Sequence, residues 1–308
     1  MNNTSFIFPG QGSQFVGMSK CILSTEISKK IFNIVNNFIG YDLLDIIING
    51  PEDLLRKTRN TQPAIFTLSL IIDELLKDKN IYPIAVAGHS LGEYSALVSS
   101  EVISFEDAIK LVIIRSKEMD KANKLNSGSM AAIMNTSNDV LEDILNEIPG
   151  TATIANYNSE NQLVISGERT SIENSIEKIK QFSKKSKCIK LNVSGAFHSP
   201  LMKFAREALA ININALSFNN PKIPVFQNIN AKPTKDSKKI KENLILQLEN
   251  PVQWCSTINN MIKYLKSNKF IECGPNTVLA GINRRISKDI ETINTDTINK
   301  IDDIWIKN

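Results

Sequence analysis

Histidine and cysteine are scarce in this chain. Of 308 residues only His89 and His198 are histidine, and only Cys21, Cys188, Cys255 and Cys273 are cysteine. No Cys-x-x-Cys pair occurs and no histidine stands close to a cysteine. That spacing argues against a metal site or a disulfide framework and for reduced, buried thiols. No apolar run approaches the roughly 18 residues that a membrane-crossing helix needs. Residues Met1–Ser5 hold no basic leader before Phe6-Ile7-Phe8, so no secretion signal is expected. No internal repeat or long low-complexity linker is visible. Neither sign of charge dominates: the net charge is only +4. The run Lys184-Lys185-Ser186-Lys187 has no interleaved aromatics and reads as solvated surface rather than a nucleic-acid contact. A mildly basic surface still suits an acidic protein partner. These absences point to a cytoplasmic globular protein, monomeric by default, with no membrane, nucleic-acid or metal partner.

What remains is an alternation of short apolar runs and amphipathic helical stretches, with 42% apolar and 22% charged residues. Phe6–Phe8 reads as a buried strand that ends in the polar loop Pro9-Gly10-Gln11-Gly12-Ser13-Gln14. The loop fits neither the dinucleotide fingerprint nor a Walker loop, but it stands where α/β proteins bind ligands. Ile27, Ile31, Ile34, Val35 and Phe38 predict a helix over Glu26–Ile39, stopped by Gly40. Thr61-Gln62-Pro63 reads as the start of a very apolar central helix ending near Lys77. A helix from Ser104 to about Ala122 places Arg115 within an apolar stretch, where a guanidinium needs a partner or a route to water.

Between Gly128 and Val193 the rhythm changes. Strands are expected at Met130–Met134, Thr151–Ala155, Leu163–Ser166 and Cys188–Val193, with Asn156–Ser159 as a turn. Helices are expected at Asn138–Ile148 and Ser171–Phe182. The order βαββαβ is that of the ferredoxin-like split motif. The expected organisation is a large α/β domain, residues 1–126 and 196–308, with a small domain of residues 127–195 inserted. The tail returns to strands at Ile223–Phe226 and Lys269–Glu272 and helices at Lys241–Leu248 and Thr277–Ile286.

The chemistry centres on Ala87-Gly88-His89-Ser90-Leu91-Gly92-Glu93. It follows the apolar run Ile84-Ala85-Val86 and precedes good helix formers. A strand, a Gly-x-Ser-x-Gly turn and a helix form a nucleophile elbow, in which glycines on each side of the serine remove Cβ atoms that would clash. The N–H of Leu91 then points at the group that Ser90 attacks, where a fixed donor stabilises a developing oxyanion. His198, in Gly195-Ala196-Phe197-His198-Ser199, re-enters the large domain at the junction and is the best candidate base for Ser90.

Taken together, Phe8-Pro9-Gly10-Gln11-Gly12-Ser13-Gln14, Gly88-His89-Ser90-Leu91-Gly92-Glu93-Tyr94-Ser95-Ala96, Gly195–Ser199 and Asn250-Pro251-Val252-Gln253-Trp254 resemble the malonyl-CoA:acyl carrier protein transacylase family, in order and over nearly the whole chain. The resemblance implies an α/β-hydrolase-like large domain and transfer of malonyl from coenzyme A to the phosphopantetheine thiol of acyl carrier protein, in fatty-acid synthesis, with no further cofactor. It also implies Ser90 as nucleophile, His198 as base, the N–H groups of Gln11 and Leu91 as oxyanion donors and Arg115 as the malonyl carboxylate ligand. By the same resemblance the main-chain carbonyl of Gln247 orients the histidine, and Phe197 matches the malonyl-type pattern. Two other readings fit part of the pattern. An α/β-hydrolase esterase fits the elbow and the Ser-before-His order, but would leave Arg115 without a task. A non-catalytic carrier-docking module would not need Ser90 and His198 intact.

Overall fold

The computed structural model describes residues 3–193 and 195–295; Met1, Asn2, Ser194 and residues 296–308 lie outside it. The expected absence of a leader and the end of the large unit fall partly on those residues. Among the described residues ten strands are formed: β1 (Thr4–Phe8), β2 (Val86–Gly88), β3 (Gly128–Met134), β4 (Ala152–Ser159), β5 (Gln162–Glu168), β6 (Lys187–Lys190), β7 (Val225–Phe226), β8 (Pro233–Thr234), β9 (Lys269–Glu272) and β10 (Glu291–Asn294). They make a six-stranded sheet ordered β10-β9-β1-β2-β7-β8 and a four-stranded sheet ordered β4-β5-β3-β6. The first sheet is parallel except for β8, and the second is antiparallel throughout.

The central strands β1, β2 and β7 are buried on both faces, which is why Phe6-Ile7-Phe8 and Val86-Ala87 are apolar without alternation. One face packs on the Thr58–Asp78 and Phe105–Leu125 helices, and the other on Trp254, Ile258, Met261, Leu279 and Ile282. The antiparallel sheet alternates. Ala131, Ile133, Leu163 and Ile165 form a separate core with the helices Asn138–Asn146 and Arg169–Phe182. Met130, Ala132 and Val164 belong to the main core. The small sheet therefore turns one face to its own helices and the other to the catalytic body.

The helix Glu26–Ile39 has the expected ends, with Thr25 accepting from the Ser28 N–H and Gly40 in a left-handed conformation. The central helix differs from expectation. It begins at Thr58, so Pro63 lies inside it rather than opening it. Thr61 is no cap, because its hydroxyl donates back to the Leu55 carbonyl at 2.5 Å while its N–H is taken by Lys57 O. Asn156–Ser159 is no turn either: β4 runs through it, with breaks in register after Ile154 and Tyr157. These polar residues fit in a strand because Asn156 lines the catalytic cleft and Asn158 hydrogen-bonds the buried His89 ring. The thiols also need correction. All four cysteines are free, but only Cys273 is buried; Cys21 is exposed and Cys188 and Cys255 are half-buried. The Trp254–Leu265 helix and β10 were not foreseen in the sequence. Among the described residues no single helix is long and apolar enough to cross a membrane.

Candidate active site

Ser90 occupies the tight turn between β2 and the helix Gly92–Ser99, with a positive φ of 52°. Steric exclusion makes the turn possible. A Cβ on Gly88 would lie 1.9 Å from the Gly92 carbonyl carbon, and one on Gly92 would lie 2.0 Å from Phe8 O. No side chain fits at either position. Gly10 has the same role in the first loop, where a Cβ would meet His89 O at 2.5 Å. The loop carrying Gln11 can thus lie directly against the elbow.

His198 reaches this turn from 108 residues away, and Ser90 Oγ donates to its Nε2 at 2.7 Å. Its Nδ1–H is shared between the carbonyls of Gln247 and Asn250, each at 3.0 Å. Carbonyls only accept, so they hold the proton on Nδ1 and leave Nε2 free to receive one. Orienting the imidazole in this way needs an acceptor but not a carboxylate. Burial, followed by the nearby positive charge of Arg115, pushes the His198 pKa down to about 3. The ring is therefore a neutral acceptor at neutral pH.

Arg115 is 1% exposed. It neither snorkels to water nor sits in an ordinary surface ion pair. Its Nη2 donates to Ser90 Oγ at 3.1 Å and to Gln247 Oε1 at 3.3 Å, and its guanidinium lies 5.5 Å from the Tyr94 ring centre. Its buried Nε has no hydrogen-bond partner. Burial pulls its pKa down from the usual arginine value. A buried guanidinium with an unused donor beside a nucleophilic hydroxyl is a site built for an anion. Gln247 holds the arrangement together: its Nε2 donates to Ser90 O at 3.0 Å while its own carbonyl accepts from His198.

Ser90, Arg115 and His198 line a cavity of about 90 Å³ with Gln11, Gln62, His89, Met119, Met130 and Phe197. That space suits a short acyl group. Gln11 lies in its wall. Leu91 directly precedes the Gly92–Ser99 helix, which offers its N–H no intrahelical acceptor. All six residues expected from the sequence, Ser90, His198, Gln247, Gln11, Leu91 and Arg115, thus meet at the elbow. His89 borders the cavity but does not serve Ser90: its Nε2 donates to Asn158 Oδ1 at 3.0 Å, and its ring lies 5.5 Å from that of Trp254.

Sequence reasoning missed Asn228. Its Oδ1 accepts from the Ser90 N–H at 2.7 Å, and its Nδ2 donates to Gly88 O at 2.6 Å. Its own N–H donates to the buried Glu93 carboxylate at 2.7 Å, which also accepts from Gln227 Nε2 at 3.1 Å. Asn228 therefore spans the elbow from both sides of Ser90. A signal was available: Gln227-Asn228 is a polar pair directly after the apolar strand Val225–Phe226, at the end of the sheet where ligands bind. The second carbonyl on His198, that of Asn250, was missed as well.

The chain matches the acyl transferase domain family over residues 5–299. It is 37% identical over 305 residues to a malonyl CoA-acyl carrier protein transacylase of Staphylococcus aureus, covering 98% of each chain. Its fold superimposes on that of the malonyl CoA-acyl carrier protein transacylase of Coxiella burnetii with a TM-score of 0.93, at 34% identity, covering 98% of this chain and 97% of that one. A malonyl-transacylase solved in complex with its type II PKS acyl-carrier protein is similar at a TM-score of 0.95 and 33% identity, covering 99% and 100% of the two chains.

Proposed function

The chain belongs to the acyl transferase family, and from that premise we propose that it transfers malonyl from malonyl-CoA to the phosphopantetheine thiol of acyl carrier protein, in fatty-acid synthesis, through a malonyl ester of Ser90. The observation that carries this reading is the position of Ser90 Oγ, between a neutral imidazole and a buried guanidinium.

In the first half-reaction Ser90 Oγ attacks the thioester carbonyl while His198 Nε2 takes its proton. The N–H groups of Gln11 and Leu91 receive the developing oxyanion. When the C–S bond breaks, the proton on His198 passes to the leaving coenzyme A thiolate. In the second half-reaction the carrier thiol gives its proton to His198 and attacks the ester carbonyl. The proton returns to Ser90 Oγ as the C–O bond breaks. Arg115 holds the malonyl carboxylate through both halves. Every step uses a side chain or backbone group of this chain, so the proposal includes no cofactor.

We further read residues 1–126 and 196–308 as an α/β-hydrolase-like catalytic unit, and 127–195 as an inserted ferredoxin-like lobe. The strand order β4-β5-β3-β6 supports the second assignment. The four free thiols support a reducing, cytoplasmic setting, and a monomer is the assumed working state.

Incubation with malonyl-CoA should add one malonyl mass to the peptide carrying Ser90. The Ser90→Ala variant should show no such addition. A malonyl adduct on another residue, or none on the native enzyme, overturns the mechanism.

A further inference from the structure

The lysine-rich run that reads as plain solvated surface in the sequence acquires a place in the fold. No acidic residue occurs between Glu177 and Glu207, a stretch holding seven lysines and one arginine, although the whole chain carries a net charge of only +4. Positive charge is thus concentrated here and outweighed elsewhere. Some of these cations are already paired: Lys178 with Glu147, Lys190 with Glu173, and Arg206 with Glu249 and Glu207. Lys184, Lys185 and Lys187 are exposed, and among the described residues none has a carboxylate partner. Two large apolar side chains stand exposed among them, Phe182 at 64% and Ile189 at 53%.

The position of this patch suggests its use. It comprises the end of the helix Arg169–Phe182, the turn after it and β6 as far as Ile189, β6 being an edge strand of the four-stranded sheet. Ile189 pairs with Ala132, which lies on the sheet face turned to the catalytic body. The ladder runs one residue past β6, since the Leu191 N–H donates to Met130 O, so by strand alternation Ile189 shares that face with Leu191, two residues before Val193. Leu191 and Val193 line the Ser90 cavity. An apolar track therefore leads from the basic patch to the nucleophile. At about 3.3 Å per residue it spans at most roughly 20 Å from Lys187 to Val193. An extended phosphopantetheine arm is about as long as a six-residue extended peptide, also roughly 20 Å. A carrier whose thiol reaches Ser90 along this track has its body over residues 182–189.

We propose that Phe182, Lys184, Lys185, Lys187 and Ile189 form the docking surface for the pantetheine-bearing carrier protein, seating an acidic face of that protein around the two apolar side chains. The proposal rests on the transacylase reading above and names the partner's contact surface. Lysines at a rim act mainly on encounter rate and salt dependence, while exposed apolar side chains hold the complex once formed.

The test uses the full-length enzyme and a triple variant, Lys184→Glu, Lys185→Glu and Lys187→Glu, with three measurements. The first is formation of malonyl-Ser90 from malonyl-CoA. The second is transfer of malonyl to free pantetheine. The third is transfer to the holo carrier protein at several salt concentrations. The native enzyme must perform the first two, and its failure there would overturn the transacylase reading itself. For the triple variant, unchanged first and second rates, with KM for the carrier raised about tenfold and a flattened salt dependence, support the docking surface. An unchanged KM for the carrier overturns it. So does an equal loss in all three measurements, which would assign the lysines to coenzyme A or to the fold.

Discussion

Arg115 Nη2 lies 3.1 Å from Ser90 Oγ, an oxygen that already donates its proton to His198 at 2.7 Å. One guanidinium thus touches the nucleophile while its charge disfavours protonation of the base. Binding and proton transfer share one charged group.

Replacing Arg115 by alanine should remove the anion site. A hydrogen bond to a charged group contributes about 1.5–3 kcal/mol, so kcat/KM for malonyl-CoA should fall roughly 10- to 150-fold while acetyl transfer holds or rises. Arg115→Lys should not restore selectivity, because one ammonium cannot reproduce the two-pronged contact. Competition between malonyl-CoA and acetyl-CoA measures the change, and a retained malonyl preference would remove Arg115 from the site.

The low pKa of His198 fixes a pH response in sign. Protonation destroys the acceptor, and in the folded protein it occurs only near pH 3, against an ordinary value of 6.5. Formation of malonyl-Ser90 should therefore stay level as pH falls from 7 to about 5, with no drop near 6.5. Stability behaves differently. Below pH 6.5 the unfolded chain takes up a proton that folded His198 refuses, so the folded state loses stability from about 6.5 down to about 3. Arg115→Ala should raise the His198 pKa, as followed by NMR titration of the ring, since the neighbouring cation is one of its two main causes.

Asn228→Ala should leave the Ser90 N–H and the Gly88 carbonyl buried without their partner, each at a cost of about 1–3 kcal/mol. The expected result is a lower melting temperature and a kcat reduced at least tenfold per titrated active site, with KM for malonyl-CoA little changed. Asn228→Asp keeps the acceptor for Ser90 but sets a carboxylate oxygen against Gly88 O, so it should not rescue. Equal kcat per active site in native and variant enzymes would reduce Asn228 to a purely structural residue.

Two glycines should respond oppositely to the same change. Gly92→Ala forces a Cβ to within 2.0 Å of Phe8 O and should abolish activity by displacing Ser90. Gly281→Ala, in the helix Val278–Ile286, meets nothing within 4 Å. It should stabilise the fold by roughly 0.5–1 kcal/mol, with activity unchanged. Thermal melts and acyl-transfer assays of the two variants check both statements.

Local chemistry was legible in the sequence. Glycines at 88 and 92 around a serine, between an apolar strand and good helix formers, mark a tight turn, and apolar spacing located the helix Glu26–Ile39. Polar residues within elements were less legible. Thr61 looked like a cap and Asn156–Ser159 like a turn, since propensity carries no information on whether a polar side chain faces water, another carbonyl or a catalytic cleft.

The sequence by itself determined that Ser90 sits on an elbow, because the strand, the two glycines and the helix formers that mark one lie within a few residues of it. Only the tertiary structure decided that His198 gives its Nδ1 proton to two carbonyls, that Arg115 turns inward to Ser90, and that Asn228 clasps the turn. Those contacts join residues up to 140 positions apart. Their directions follow from how the two sheets pack, and a hydrogen bond is made or lost over less than an ångström, a scale no residue pattern encodes.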